Sequence, residues 1–181
     1  MHTNGISVDQ LVGTVKTIQE HPDLARFQFR SRTMWVTGGH SQTHVQSFFG
    51  PGQKDTSRKE PFVIESDEPP VLLGTNQGPN AVEMMLAALG SCLTVGVAYN
   101  AAARGITLKA LSLQVEGDVD LQAFLGLSET VRPGFEAIRV RYQVVSDATP
   151  EQIEELMAHV QRTSPVLDIV RHPVPVTLMA E

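Results

Sequence analysis

Cys92 is the one thiol in a chain of 181 residues, and a thiol is the side chain best suited to nucleophilic and redox chemistry near neutral pH. It sits in Leu86-Ala87-Ala88-Leu89-Gly90-Ser91-Cys92-Leu93, a run of small and apolar residues that reads as the middle of a helix. Residues three, four and seven positions away share its helical face: Met85, Ala88, Leu89, Val95, Gly96 and Tyr99. None of them is charged. Two readings stay open on the residues alone. The cysteine is either an inert packing residue, since apolar surroundings disfavour a thiolate, or a nucleophile whose charged form is stabilised by groups from elsewhere in the fold.

Other polar residues are weighed the same way. Ser164 precedes Pro165 at the start of an expected helix, so its ordinary role is an N-cap, and its alternative is a hydrogen bond to the Cys92 thiolate or to an oxidised form of it. His40 and His44 share one side at strand spacing, but no cysteine or carboxylate cluster accompanies them, so no metal is expected. Asp118 and Asp120 follow Gly117 without the later ligands and closing glutamate of a calcium loop, which leaves a solvated acidic turn. Glu83, in the first turn of the central helix, is accounted for by the helix dipole.

The stretch Gly78-Pro79-Asn80-Ala81-Val82-Glu83-Met84-Met85-Leu86-Ala87-Ala88-Leu89-Gly90-Ser91-Cys92-Leu93, followed by Ala101-Ala102-Ala103-Arg104-Gly105-Ile106, resembles the core signature of the OsmC/Ohr family of osmotically inducible and organic hydroperoxide resistance proteins. The similarity continues more weakly over roughly residues 25 to 180. The resemblance implies an intertwined homodimer in which Cys92 is the peroxide-attacking thiol. It also implies a cation near that thiol. Arg30 and Arg32 are the candidates, with Arg26 a weaker third; the plainer account of all three is solvated strand arginines. Two positions depart from the family pattern. Ser164 stands where a second, resolving cysteine is expected, so an oxidised Cys92 would need an external thiol. Val82 stands where the family carries a glutamate that orients the arginine, and Glu83 falls on the far face of the helix from Cys92.

Composition narrows the field. A formal charge of −6 without a Lys/Arg-rich run argues against nucleic acid. A lone cysteine excludes a disulfide framework, and no charged segment followed by an apolar one opens the chain, so a cytoplasmic protein is expected. The apolar window from Met84 to Tyr99 is shorter than the ~20 residues a membrane span needs. It is expected instead to be a helix enclosed by protein, with Gly90, Gly96 and the alanines admitting close neighbours, including a partner subunit.

Periodicity supplies the elements that must position these residues. Helix spacing covers Val8 to Gln19, with Ser7 as a candidate cap, and residues 1–24 are read as a helical extension to a domain of residues 25–181. Arg26 to Val36 alternates as a strand, His44 to Phe49 is its hairpin partner across Gly38-Gly39, and Phe62 to Glu65 is a short strand. The central helix runs from Ala81 to Ala103, capped by Asn80 and closed by Gly105. Ile106 to Glu116 is a strand whose face switches at a bulge, and Phe135 to Val145 is a second strand. Thr149-Pro150-Glu151-Gln152 is a capping box opening a helix to Arg162, a short helix follows Thr163, and Val174 to Leu178 is expected as a last strand. Segregated strands and helices predict an α+β fold, a mostly antiparallel sheet packed on long helices. The activity expected is reduction of organic hydroperoxides by Cys92 with an external thiol and no cofactor. The alternative is a non-enzymatic dimer that binds a small apolar ligand or serves a structural role.

Overall fold

The computed structural model describes residues 1–180. In chain order the elements are β1 (His2–Thr3), β2 (Ile6–Ser7), α1 (Val8–Glu20), β3 (Arg32–Thr37), β4 (His40–Val45), β5 (Phe49–Gly50), β6 (Gln53–Lys54), β7 (Phe62–Ser66), α2 (Ala81–Ala103), β8 (Leu108–Asp118), β9 (Ala137–Ser146), α3 (Pro150–Thr163) and α4 (Pro165–Arg171). Every paired strand is antiparallel, and the fold is α+β as expected. The chain divides into two compact units: residues 1–8 with 85 onward, and residues 9–84.

The first unit contains α2, α3, α4 and the β8–β9 hairpin. Along α2 the buried residues Leu89, Leu93, Val97 and Ala101 recur every fourth position, a single stripe. That stripe joins Leu156, Met157 and Val160 of α3 and Leu167 of α4 in one core, against which Leu111, Leu113, Val115, Ile138 and Val140 of the hairpin pack. The expected bulge is present: pairing shifts between Leu108 and Ala110, so Leu108 and Leu111 both reach the core despite their odd spacing. Asn4 adds a tie that periodicity does not reveal. Its side chain donates to Ile106 O at 3.0 Å and accepts from Leu108 N–H at 2.8 Å, pairing with the chain just ahead of β8 as a strand neighbour would.

Both ends of α2 are closed by local chemistry. Asn80 Oδ1 accepts from Glu83 N–H while Glu83 Oε2 accepts from Asn80 N–H, each at 2.9 Å, so Glu83 does more than meet the dipole. At the other end Gly105 is left-handed at φ +70°. Its N–H reaches Ala102 O at 3.1 Å and Ile106 N–H reaches Ala101 O at 2.9 Å, the paired bonds that end a helix at glycine. α3 opens on the predicted reciprocal bonds between Thr149 and Gln152.

The small residues of α2 have neighbours inside the unit. A Cβ placed on Gly96 would lie 2.9 Å from Val160 Cγ1, so α3 approaches α2 where no side chain stands. Gly90 faces Val115 Cγ2 in the same way at 3.4 Å. Within the chain α2 is covered on one side, and on the other Val95 is 56% and Tyr99 47% exposed.

In the second unit β3, β4 and β7 form a three-stranded sheet in that order. The strand expected from Arg26 begins at Arg32; before it only Gln28 bridges, to Phe49. The alternating phenylalanines that suggested a strand cluster instead, Phe27 stacked on Phe29 at 5.8 Å and Phe29 tilted against Phe48 at 5.4 Å between ring centres. The partner strand starts at His40, directly after the Gly38-Gly39 turn, with Thr37 paired to His40. The strand expected at 174–178 is absent, because Pro173 and Pro175 remove the N–H groups a ladder would use there.

Asp67 organises the approach to α2. It is 2% exposed. Its carboxylate accepts from the Thr75 hydroxyl at 2.7 Å and from the N–H groups of Glu68, Thr75 and Gln77 at 2.8, 2.9 and 3.2 Å. The Thr75 hydroxyl, followed by these backbone donors, holds its pKa down to about 2 from the ordinary 3.8. Gly78, beyond this loop, lies so close to Glu65 O that a Cβ would stand 2.1 Å from it, and only glycine fits.

Two outcomes follow from these contacts. The depressed pKa of Asp67 makes its contribution to stability complete above about pH 4 and lost as pH falls through about 2. Asp67→Asn should therefore be less stable than the parent at neutral pH in urea unfolding, and the gap should close on acidification towards pH 2. Gly96→Leu gains ~1 kcal/mol of helix propensity but overpacks Val160, which costs about 1–3 kcal/mol. A buried, branched neighbour has little room to yield, so the net change should be a lowered thermal midpoint. An unchanged or raised midpoint would mean that α3 can shift away from α2.

Candidate functional site

The site is built on the seam between α2 and α3. Cys92 and Gly96 stand one turn apart on α2, and Val160 and Ser164 are likewise four residues apart at the end of α3. Gly96 meets Val160, and Cys92 meets Ser164. Because the chain numbers rise on one side as they fall on the other, the two helices run antiparallel, with consecutive turns in register. Closure at Gly96 thus sets the distance at Cys92.

Cys92 Sγ lies 3.2 Å from Ser164 Oγ. Ser164 is 6% exposed and serves two elements, closing α3 and capping α4. Its Oγ accepts from Leu167 N–H at 3.3 Å. The Ser164 hydroxyl and the Cys92 sulfur can each donate to the other across this contact. Ser164 is thus the expected cap of α4, and its hydroxyl also lies within hydrogen-bond distance of the sulfur.

A cavity of about 620 Å³ opens beside this pair, lined from α2 by Ser91, Cys92, Val95, Gly96 and Asn100, and from α3 and its end by His159, Val160, Thr163, Ser164 and Pro165. Cys92 is half-buried at its wall. Of the apolar residues expected on the cysteine's face, Val95 lines the cavity, whereas Leu89 is turned fully into the core. His159 is the member that spacing around Cys92 does not reveal. Its signal lay on α3: it shares a face with Thr163 and stands five residues before Ser164 on a helix whose start the capping box marks.

Arg30 and Arg32 belong to the second unit and are exposed there. Arg30 Nη2 donates to Gln28 Oε1 at 2.8 Å, and Arg32 opens β3 opposite His44. His40 Nε2 is 2.7 Å from Glu65 Oε2, Gln42 donates to Glu65 Oε1 at 2.8 Å, and His44 Nε2 is 2.8 Å from Gln42 Oε1. These bonds hold the Glu65 carboxyl below its ordinary pKa, Gln42 contributing most and His40 next. The histidines are thus part of a sheet-face network, and among the described residues no cluster of three or more His, Cys, Asp or Glu is disposed to hold a metal ion. Asp118 is paired across the hairpin with Arg139, whose Nη2 donates to it at 2.9 Å, and Asp120 caps the N–H of Gln122 at 2.9 Å, so the acidic turn is spent on structure.

An antiparallel hairpin covered by helices, the longest of them presenting a thiol to the next helix across a small-residue seam, defines the class: an α+β protein with a single cysteine in a helix-lined cavity. The family described as OsmC-like protein matches residues 74–179, more than half of the chain and all of α2 through α4, and the chain belongs to that family. Solved structures agree in fold. The OsmC-like protein from Mycoplasma pneumoniae superposes with a TM-score of 0.60 at 15% identity, over 81% of this chain and 89% of that one. The organic hydroperoxide resistance protein OsmC from Legionella pneumophila gives 0.55 at 15%, over 80% and 89%. An organic hydroperoxide resistance protein from Elizabethkingia anophelis, crystallised with thiocyanate bound, gives 0.52 at 14%, over 81% and 89%. No curated protein matches the chain. At these identities the likeness is one of fold.

Ser164→Ala removes both the cap and the hydroxyl beside the sulfur. It should cost about 1 kcal/mol in stability and slow alkylation of Cys92 by iodoacetamide at pH 7. Ser164→Gly, which at an N-cap costs only a few tenths of a kcal/mol, should keep most of the stability without recovering the rate. Equal alkylation rates in all three proteins would remove Ser164 from the chemistry.

Proposed function

We propose that the protein is a thiol-dependent reductase of organic hydroperoxides, with Cys92 as its one peroxidatic cysteine. The observation that carries this reading is the half-buried Cys92 sulfur 3.2 Å from a serine hydroxyl at the wall of a helix-lined cavity. Family membership supports the reading, as does the description of two fold relatives as organic hydroperoxide resistance proteins.

In the proposed reaction the Cys92 thiolate attacks the terminal oxygen of R–O–O–H. The S–O bond forms as the O–O bond breaks, sulfur is oxidised to the sulfenic acid, and the alkoxide takes up a proton and leaves as the alcohol. Since Ser164 replaces a resolving cysteine, an external thiol then condenses with the sulfenic acid, releasing water and forming a mixed disulfide. A second thiol attacks that disulfide and returns Cys92 to its starting state. The resemblance assigns the cation of the thiolate to Arg30 or Arg32. The apolar wall at Val95 and Val160 suits an alkyl chain better than hydrogen peroxide.

We also propose that the working form is a soluble, cytoplasmic homodimer. The exposed Val95 and Tyr99 of α2, with Phe124 at 76% and Leu127 at 72% in the loop after β8, are apolar surface that a second subunit would cover.

The test is stopped-flow consumption of cumene hydroperoxide with excess dithiol. Wild type should turn over, and Cys92→Ser, nearly isosteric, should not. Intact mass after one equivalent of hydroperoxide should show oxygen added to the wild-type chain only. If both proteins consume peroxide equally slowly, the enzyme reading fails, and the cavity is left as a binding site for a small apolar ligand.

A further inference from the structure

Breaking the O–O bond of an alkyl hydroperoxide releases an alkoxide, a strong base and a poor leaving group unless a proton reaches it as the bond breaks. Ser164 is not suited to supply it, because an aliphatic hydroxyl is a far weaker acid than an imidazolium and its oxygen is engaged by Leu167 N–H and the Cys92 sulfur. The other polar groups lining the cavity are the hydroxyls of Ser91 and Thr163, the amide of Asn100 and the imidazole of His159. Thr163 Oγ1 gives its proton to His159 O at 3.0 Å, and Asn100 Nδ2 donates to Gly96 O at 2.9 Å. An imidazole is the one group of this set that carries an acidic proton near neutral pH.

His159 is also well placed along the seam. It precedes Val160, the residue seated on Gly96, and lies five residues before Ser164, a rise of about 7.5 Å along α3. A hydroperoxide with its terminal oxygen at Cys92 would lie in the cavity whose wall His159 also lines. The ring is half-buried, so it can meet substrate on one side and regain a proton from solvent on the other.

We propose that His159 is the general acid of the peroxide step, donating its proton to the alkoxide oxygen as the O–O bond breaks. The alcohol leaves, sulfur gains the terminal hydroxyl, and neutral imidazole is reprotonated from water. This assignment rests on the hydroperoxide reading and adds to it a residue that the family signature does not contain.

The test compares three reagents in single turnover on the full chain: cumene hydroperoxide, peracetic acid and iodoacetamide. Peracetic acid releases a carboxylate and iodoacetamide releases iodide, neither of which needs a proton. His159→Gln should lose 10-fold or more with cumene hydroperoxide and change less than about 2-fold with the other two, and His159→Lys, which restores an acid, should recover part of the loss. A loss of the same size with all three reagents would instead make His159 a residue that holds the site or the thiolate, and no loss with cumene hydroperoxide would remove it from the chemistry; either overturns the assignment while leaving the reductase reading intact. Wild type that is inert to both peroxides but alkylated normally would sink the reductase reading itself, and this assignment with it.

Discussion

The close approach of α3 to α2 at Gly96 is the constraint on which the site depends. With no side chain at that position, Val160 seats directly against the helix backbone, and a Cβ would stand 2.9 Å from it. One turn away this spacing brings Ser164 Oγ to 3.2 Å from the Cys92 sulfur. A wider seam would leave the hydroxyl out of reach. The same geometry closes the core, since Leu89, Leu93 and Val97 of α2 meet Leu156 and Val160 of α3 on the inner side of the seam. Core and site are two sides of one helix pair, so packing errors in the first would be felt in the second.

Ser164 shows how a polar residue is retained in such a seam. A buried hydroxyl without partners costs free energy, and this one is satisfied twice, by the backbone of α4 and by the thiol. The arrangement leaves the sulfur partly open to a cavity whose wall mixes aliphatic side chains with one imidazole. A thiol, a serine hydroxyl beside it and a cavity are thus gathered on one helix seam. In the second unit a comparable economy operates at Asp67, where one carboxylate gathers three backbone N–H groups and a hydroxyl and so shapes the turn that leads into α2.

Much of this was legible in the chain itself. Local signals carry their own stereochemistry: Asn80 and Gly105 bound α2, and Thr149 with Gln152 opens α3, because caps are satisfied by residues a few positions away. The bulge near Leu108 was visible as a break in alternation. Alternation misled where tertiary contacts overruled it. Phe27 and Phe29 cluster with Phe48 instead of extending β3, and Pro173 and Pro175 interrupt the backbone donors of the strand expected after His172.

For the site, the amino-acid sequence by itself determined that one thiol lies on a small-residue helix, that Ser164 and no second cysteine waits at the head of the last helix, and that the chain carries the signature of its family. Only the tertiary structure decided that these two residues touch, that Gly96 receives Val160, and that His159 shares their cavity. The reason is physical: periodicity reports which residues of one helix share a face, whereas the register between two helices is chosen by the packing of both against a common core. Cys92 and Ser164 are separated by a whole hairpin and a helix in the chain, and no local rule couples them.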